Sequence, residues 1–346
     1  MLTALTLQNF RCHAELKLEG FTGCNLLLGP NGRGKTSVLE AVYFLSRCRS
    51  FRTRQPRELA RWGAENFGIS GVFADADGQR QRLKVEWSPA RRNLAADGRD
   101  HLSVREFWGR APAVVFQNRD RDIVSGGGQS RRQWADGLLA AAQPPYLGEI
   151  QRAQLLLRQK NALLRGPRPD RELWSALTAQ LAALSDGIHR QRVEFTAQAA
   201  PLLAEFYTGL AGADEALTLT FAPQIPRGLE LARDELWRRE RERGTALLGP
   251  HRDDWTLALR GQPLRDFGSE GQVKSAALAL RLLEARLIQA HTGRWPLLLI
   301  DDALTDLDAG RRQKFWRLLA ADAQLFYAAT QRDDISATSA ATEFLF

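Results

Sequence analysis

The sequence predicts an α/β fold, a parallel sheet interrupted by a helical lobe. Three observations predict it. A glycine-rich segment, Gly29-Pro30-Asn31-Gly32-Arg33-Gly34-Lys35-Thr36, stands between a short apolar strand pattern and a helical pattern. A second apolar run, Pro296-Leu297-Leu298-Leu299-Ile300, ends in Asp301-Asp302. Between the two lies a long stretch whose apolar residues recur at helical spacing.

The chain has 346 residues, enough for two domains or for one domain with a large insertion. Hydrophobic residues make up 44% and charged residues 25%, as in ordinary globular proteins. No apolar run approaches the roughly 20 residues of a membrane span. Residues 1–7 lack the basic start of an export signal and alternate like a strand. Cys12, Cys24 and Cys48 have no metal-ligand spacing, so reduced thiols and a cytoplasmic location are expected. The net charge of +8, carried mostly by arginine, suits a polyanionic partner without assigning one.

In chain order, strands are expected at 5–7, 15–18 and 25–28. Residues 37–45 should form a helix, with Val38, Leu39, Val42 and Leu45 on its apolar side. Strands at 67–73 and 82–87 read as a hairpin around Asp77-Gly78, and Asp97-Gly98 marks another turn. Residues 113–116 read as a buried strand. The middle is helical at 131–143, 146–165, 170–200 and 229–243; Leu173, Leu177, Leu181, Leu184 and Ile188 make a core-packing stripe along the third. Strands are expected again at 246–248 and 255–259, then a helix at 272–290. The run ending at Ile300 suits a strand buried on both faces. A helix at 311–320 and a strand at 324–329 close the pattern. The expected organisation is a composite head from 1–117 and 246–346, with a mainly helical insertion at 118–245.

The glycine-rich segment has the form G-x-x-x-x-G-K-[ST], a phosphate-binding loop. Its glycines let backbone N–H groups turn toward a triphosphate, and the following helix aims its positive end at the same charge. Lys35 should reach the β- and γ-phosphates. The Thr36 hydroxyl should ligate Mg²⁺, and Ser37 continues the cradle. ATP or GTP binding is the expectation. Asp301 can hold the same Mg²⁺, because parallel strands present their carboxyl ends at one crevice. Asp302 would then polarise the attacking water. A third element, Phe267-Gly268-Ser269-Glu270-Gly271-Gln272, opens a helix. Alone it reads as a helix cap by Ser269. Its place between phosphate loop and acidic strand end follows the order of an ABC-type ATPase, in which Ser269, Gly271 and Gln272 of one subunit would cap nucleotide held by another.

These elements together resemble the RecF family, bacterial recombination mediators related to SMC-type ATPase heads. Asn9-Phe10-Arg11, residues 39–46 after the loop, Ser50-Phe51-Arg52-Thr53, Leu248-Gly249-Pro250-His251-Arg252-Asp253-Asp254, residues 268–272 and residues 298–308 carry the resemblance. In the helical middle only Arg131-Arg132 and Asp136 match. The chain departs at Gln117-Asn118-Arg119-Asp120, where Gln117 is more like a transporter Q-loop glutamine that senses Mg²⁺ and water. It departs also at Val273-Lys274 and at Thr305-Asp306-Leu307-Asp308, and residues 330–331 carry no switch histidine. The resemblance implies an ABC/SMC-type P-loop ATPase head, an ATP-dependent homodimer on duplex or gapped DNA, slow hydrolysis, and action with RecO- and RecR-like proteins in placing RecA on gapped DNA. It also implies that Arg11 approaches the nucleotide.

Two other classes share parts of this pattern. The nucleotide-binding subunit of a membrane transporter would carry the same three motifs, but the helical insertion and the RecF-like segments count against it. A small-molecule P-loop kinase would not need Ser269 or Gly271. Arg47, Arg49, Arg52, Arg54, Arg57 and Arg61 face only one acid, Glu58, across their span. That cluster reads equally as a DNA-phosphate surface or as a solvated face. His13, His101, His189, His251 and His291 are scattered and do not form a metal site.

Overall fold

The structure is a computed structural model that describes residues 1–75, 77–212, 215–224, 233–331 and 341–346. By packing, the chain divides into two compact units, Met1–Arg119 with Glu284–Phe346, and Asp120–Leu283. The expected return to the head at 246 is therefore moved to 284 in this division: residues 246–283 pack with the second unit.

The first unit begins with β1 (Leu2–Phe10) and β2 (His13–Glu19), followed by β3 (Cys24–Leu28) and α1 (Lys35–Arg47). Then come β4 (Phe67–Ala74), β5 (Arg80–Trp87), β6 (Arg92–Ala96), α2 (Val104–Phe107) and β7 (Ala113–Gln117). An antiparallel sheet takes the order β2-β1-β4-β5-β6. The hairpin around Asp77-Gly78 forms as expected, and Asp97 and Gly98 turn the chain in left-handed conformations.

Later in the chain the same unit adds β11 (Leu297–Asp301), α10 (Ala309–Leu318), β12 (Leu325–Ala329) and β13 (Thr342–Leu345). With β3 and β7 these strands form a five-stranded sheet in the order β13-β3-β12-β11-β7, every pairing parallel. Its inner strands β12 and β11 are continuous apolar runs buried along their length because both faces are covered, while the edge strand β13 alternates between half-buried and exposed. The helix α1 is buried nearly all round, and Val38, Leu39, Val42, Phe44 and Leu45 share one core with Leu5, Phe10, Ile69, Val115, Leu299 and Phe326. A helix buried on most of its faces sits inside a core and not on its surface. One acid, Glu40, lies in it fully buried.

The second unit holds α3 (Arg121–Val124), α4 (Gly128–Ala142), α5 (Pro144–Arg165) and α6 (Arg171–Ala211). It continues with β8 (Leu217–Ala222), α7 (Arg233–Arg243), β9 (Asp254–Leu259), β10 (Gln262–Pro263), α8 (Leu264–Phe267) and α9 (Glu270–Thr292). The last turns of α9, from Glu284, belong to the first unit. Asp170 caps α6 by accepting from the Glu172 and Leu173 N–H groups. The expected stripe on α6 is buried at Leu177, Leu181 and Ile188, but Leu173 is half exposed. The start expected for α7, at 229–232, lies outside the described residues.

The strand expected at 246–248 does not form. Its N–H groups are taken by side chains: Ala246 donates to Asn161 Oδ1 at 2.7 Å and Leu247 to Glu240 Oε1 at 2.7 Å. Gly249 then turns the chain with φ 132°, which ladder pairing does not accommodate.

Candidate nucleotide site and its supports

The loop between β3 and α1 leaves the carboxyl edge of the parallel sheet, where α/β proteins place ligands. Gly29, Gly32 and Gly34 all have positive φ, at 148°, 84° and 99°. Gly34 also leaves no room for a Cβ, which would run into the His13 ring and Cys12 Sγ. Gly34 is the N-cap of α1, with no side-chain cap and no acid in the first turn. The first N–H groups of α1 therefore keep their donors for an anion. Lys35 Nζ curls onto the loop, donating to Gly29 O at 2.6 Å and Pro30 O at 2.9 Å. Asn31 and Arg33 are exposed on the loop rim and Ser37 is buried beneath it. His13 Nε2 lies 3.4 Å from Gly34 O, a contact that no local pattern announces.

Thr36 Oγ1 donates to Asp301 Oδ1 at 2.7 Å. Residues 265 positions apart thus meet where a hard cation would need oxygen ligands. Burial pushes the Asp301 carboxyl up, against the Thr36 hydrogen bond, and Asp302 beside it pushes the same way as burial. Divalent magnesium would relieve that charge. Among the described residues no cluster of three His, Cys, Asp or Glu side chains can hold a metal. A cation here would take Thr36, Asp301, phosphate oxygens and waters, the pattern Mg²⁺ prefers. The donor set therefore fits it.

Gln117 ends β7 directly beside Asp301 in the parallel register. Asp302 is exposed with φ 52°, and its carbonyl accepts from Thr305 Oγ1 at 2.8 Å. Thr305, at one of the departures from the family pattern, thus supplies a hydroxyl to the strand end. Asp308 caps α10 through the Arg311 N–H.

Arg11, expected beside the nucleotide, is held by Glu40 and by the Glu58 carbonyl. Its Nε and Nη2 donate to the two oxygens of Glu40 at 2.8 and 2.7 Å, and its Nη1 donates to Glu58 O at 2.8 Å. Ser50 Oγ also donates to Glu40, and Arg52 lies 3.6 Å away. Glu40 lies one turn past Thr36 on α1, so this network fixes the helix that carries Lys35 and Thr36. The lone acid in an apolar helical run was the available signal, and the sequence reading passed over it. The arginine cluster loses one member to the interior. Arg47 is not part of an open surface: it pairs with Glu284 at 3.1 Å and lies 5.8 Å from the Trp108 ring centre.

In the second unit Ser269 and Gln272 form a reciprocal cap on α9. Ser269 Oγ accepts from the Gln272 N–H at 3.3 Å, and Gln272 Oε1 accepts from the Ser269 N–H at 2.9 Å. Gln272 Nε2 donates to Glu215 at 2.7 Å. Ser269 and Glu270 are exposed, Gly271 half-buried, and Phe267 stands 70% open beside them. The cap role and an outward-facing signature coexist.

The segment 248–254 is structural. Buried Asp253 takes Arg192 Nη1 at 2.5 Å, and the Pro250 carbonyl takes the same group at 2.7 Å. Arg131 grips Asp254 with two bonds, at 2.7 and 3.0 Å. Arg192 also reaches Asp136 at 2.8 Å, which joins the matching residues of the helical middle to this segment. His251 Nε2 lies 3.2 Å from Ala246 O, and burial pulls its pKa down against that contact.

A phosphate loop, a carboxylate at the adjoining strand end and an outward signature helix define an ATPase head of the SMC class. The family model of the RecF/RecN/SMC N terminal domain matches residues 1–343. A DNA replication and repair protein RecF from Synechococcus sp. strain JA-3-3Ab is 35% identical over 333 residues, covering 90% of this chain and 87% of the relative. One from Halalkalibacterium halodurans is 31% identical over 345 residues, covering 96% and 93%. The solved recombination mediator protein RecF-ATPrS, of the RecFOR pathway, superposes with a TM-score of 0.86 at 25% identity, over 99% of this chain and 96% of that one. An Smc head domain from Pyrococcus furiosus shares the fold alone, at a TM-score of 0.57 and 14% identity. The chain belongs to the RecF family.

Proposed function

We propose that this chain is an ATP-binding recombination mediator that serves DNA replication and repair, and that ATP gates its grip on DNA. The observation that carries the reading is the Thr36–Asp301 hydrogen bond of 2.7 Å, which joins the phosphate loop to the strand end where a cation would sit. The RecF relatives support the rest, and the transporter reading is set aside with them. Among the described residues no helix is long and apolar enough to cross a membrane.

In this reading the loop from Gly29 to Thr36 wraps the triphosphate. Lys35 would exchange a loop carbonyl for a phosphate oxygen, and Thr36 and Asp301 would hold Mg²⁺. The bound ion would neutralise charge on the β- and γ-phosphates. Gln117, next to Asp301, would feel the state of the ion and its water. Asp302 would orient the attacking water. It is one methylene shorter than a glutamate and projects from a left-handed residue, which would place that water poorly for in-line attack and keep hydrolysis slow. Ser269, Gly271 and Gln272 of a second copy would complete the pocket, so ATP would set the lifetime of a homodimer on duplex or gapped DNA. RecO- and RecR-like partners would follow from the family.

Sedimentation with Mg²⁺-ATP, with and without gapped DNA, tests this. The wild type should dimerise with ATP; Lys35→Met should not, and Ser269→Arg should bind ATP yet stay monomeric. A wild-type chain that remains monomeric when saturated with a non-hydrolysable ATP analogue overturns the reading.

A further inference from the structure

Trp62 is 98% exposed, more than any other large hydrophobic side chain among the described residues. It is not on a loose loop. The Ala64 N–H donates to Arg61 O at 2.8 Å, closing a four-residue turn with Trp62 second and Gly63 third. Gly63 has φ 83°, the positive value that a type II turn demands at its third position. The base of this turn is stitched to the end of β1: Arg61 N–H donates to Asn9 O at 2.7 Å and Arg11 N–H to Leu59 O at 2.7 Å. The indole is thus presented from a fixed point.

The segment that carries it is charged. Arg49, Arg54, Arg57 and Arg61 are all exposed on the same segment, and none makes an ion pair among the described residues. A protein partner would want a contiguous apolar patch of a few hundred Å²; here the indole has Arg61 on one side and Gly63 on the other. An open aromatic face on a segment that carries four exposed, unpaired guanidinium groups suits a polyanion that also offers flat π faces. Nucleic acid with unpaired bases is that ligand. In a continuous duplex each base is already stacked on both sides, so the indole can take one only where a strand is unpaired.

We propose that Trp62 is a base-stacking platform for the single-stranded part of gapped DNA, with Arg54, Arg57 and Arg61 on the adjoining phosphates. The proposal rests on the reading of this chain as a DNA-binding protein and names the DNA feature that this surface recognises.

The test is fluorescence anisotropy of the full chain with Mg²⁺-ATP on two labelled duplexes of equal length, one with a central single-stranded gap, across a salt series. Trp62→Ala should weaken binding to the gapped duplex about 5- to 150-fold, the range for losing one stacked base, and leave the continuous duplex unchanged. Trp62→Phe should recover most of the loss. The salt slope of Trp62→Ala should match the wild type, because an indole neutralises no phosphate. Arg54→Glu with Arg57→Glu should weaken both DNAs and flatten the slope. Equal affinities of wild type and Trp62→Ala for gapped DNA overturn the proposal, as does an equal loss on both DNAs. If Trp62→Ala binds DNA normally but loses self-association, the indole is a protein contact and the proposal falls. A wild type that binds neither DNA sinks the parent reading as well.

Discussion

Replacing Arg11 by alanine should loosen the helix that carries the phosphate-binding residues. The Glu40 side chain is fully buried, and Arg11 is its two-bond partner with only 18% of its own side chain exposed. Breaking a buried pair from one side costs about 3–5 kcal/mol, because the remaining charge loses its compensation. Two features lower that figure here: Ser50 still donates to Glu40, and the Arg52 guanidinium at 3.6 Å can move closer. Partial exposure of Arg11 discounts it further. The expected loss is about 2–3 kcal/mol. Arg11→Ala with Glu40→Ala should lose less than the sum of the single changes, with a coupling of about 1–2 kcal/mol. Guanidinium unfolding followed by far-UV circular dichroism reads this as a lower midpoint at constant slope. An Arg11→Ala chain within about 0.5 kcal/mol of wild type would refute the reasoning, since surface changes of no consequence fall in that range. An unchanged midpoint with a large loss of ATP affinity would return Arg11 to the nucleotide-contacting place that the family resemblance implies.

Other outcomes follow from the same geometry. Gly34→Ala should abolish ATP binding in equilibrium dialysis while the chain remains folded, because a side chain there forces φ 99° onto alanine and meets His13. Arg192→Met should cost about 3–5 kcal/mol in denaturant unfolding, since Asp253, with no side-chain exposure, loses its close cationic partner. His251 has a folded pKa below its ordinary value, so the unfolded chain binds its proton more readily. The stability this represents is present above the ordinary histidine range and is lost as pH falls below it, with a slope of at most about 1.4 kcal/mol per pH unit. His251→Gln should therefore lose less stability than wild type between neutral and mildly acidic pH in paired urea titrations.

The chain's local patterns made much of this legible. The phosphate loop, the apolar strand ending in Asp301-Asp302 and the capping box at Ser269 are contiguous. Each is specified by backbone conformations and hydrogen bonds within a few residues, so reading them needs no partner. The parallel sheet follows from strand runs that are apolar on both faces. Where the reading failed, the competitor was distant. Residues 246–248 look like a strand until Asn161 and Glu240 take their N–H groups. β13 is a four-residue edge strand that gains its identity only by pairing with β3, some 300 positions away.

What the sequence determined by itself is the nucleotide-binding chemistry and the class of fold, because those reside in short runs whose geometry is nearly local. Tertiary packing decided the rest. It sent Arg47 to Glu284 and left Arg49, Arg54, Arg57 and Arg61 to the solvent. It drew Arg11 to an acid 29 positions away and raised Trp62 on a turn stitched to β1. The reason is physical: an arginine's partner is set by which carboxylate shares its desolvated surroundings, and desolvation exists only once the chain has folded.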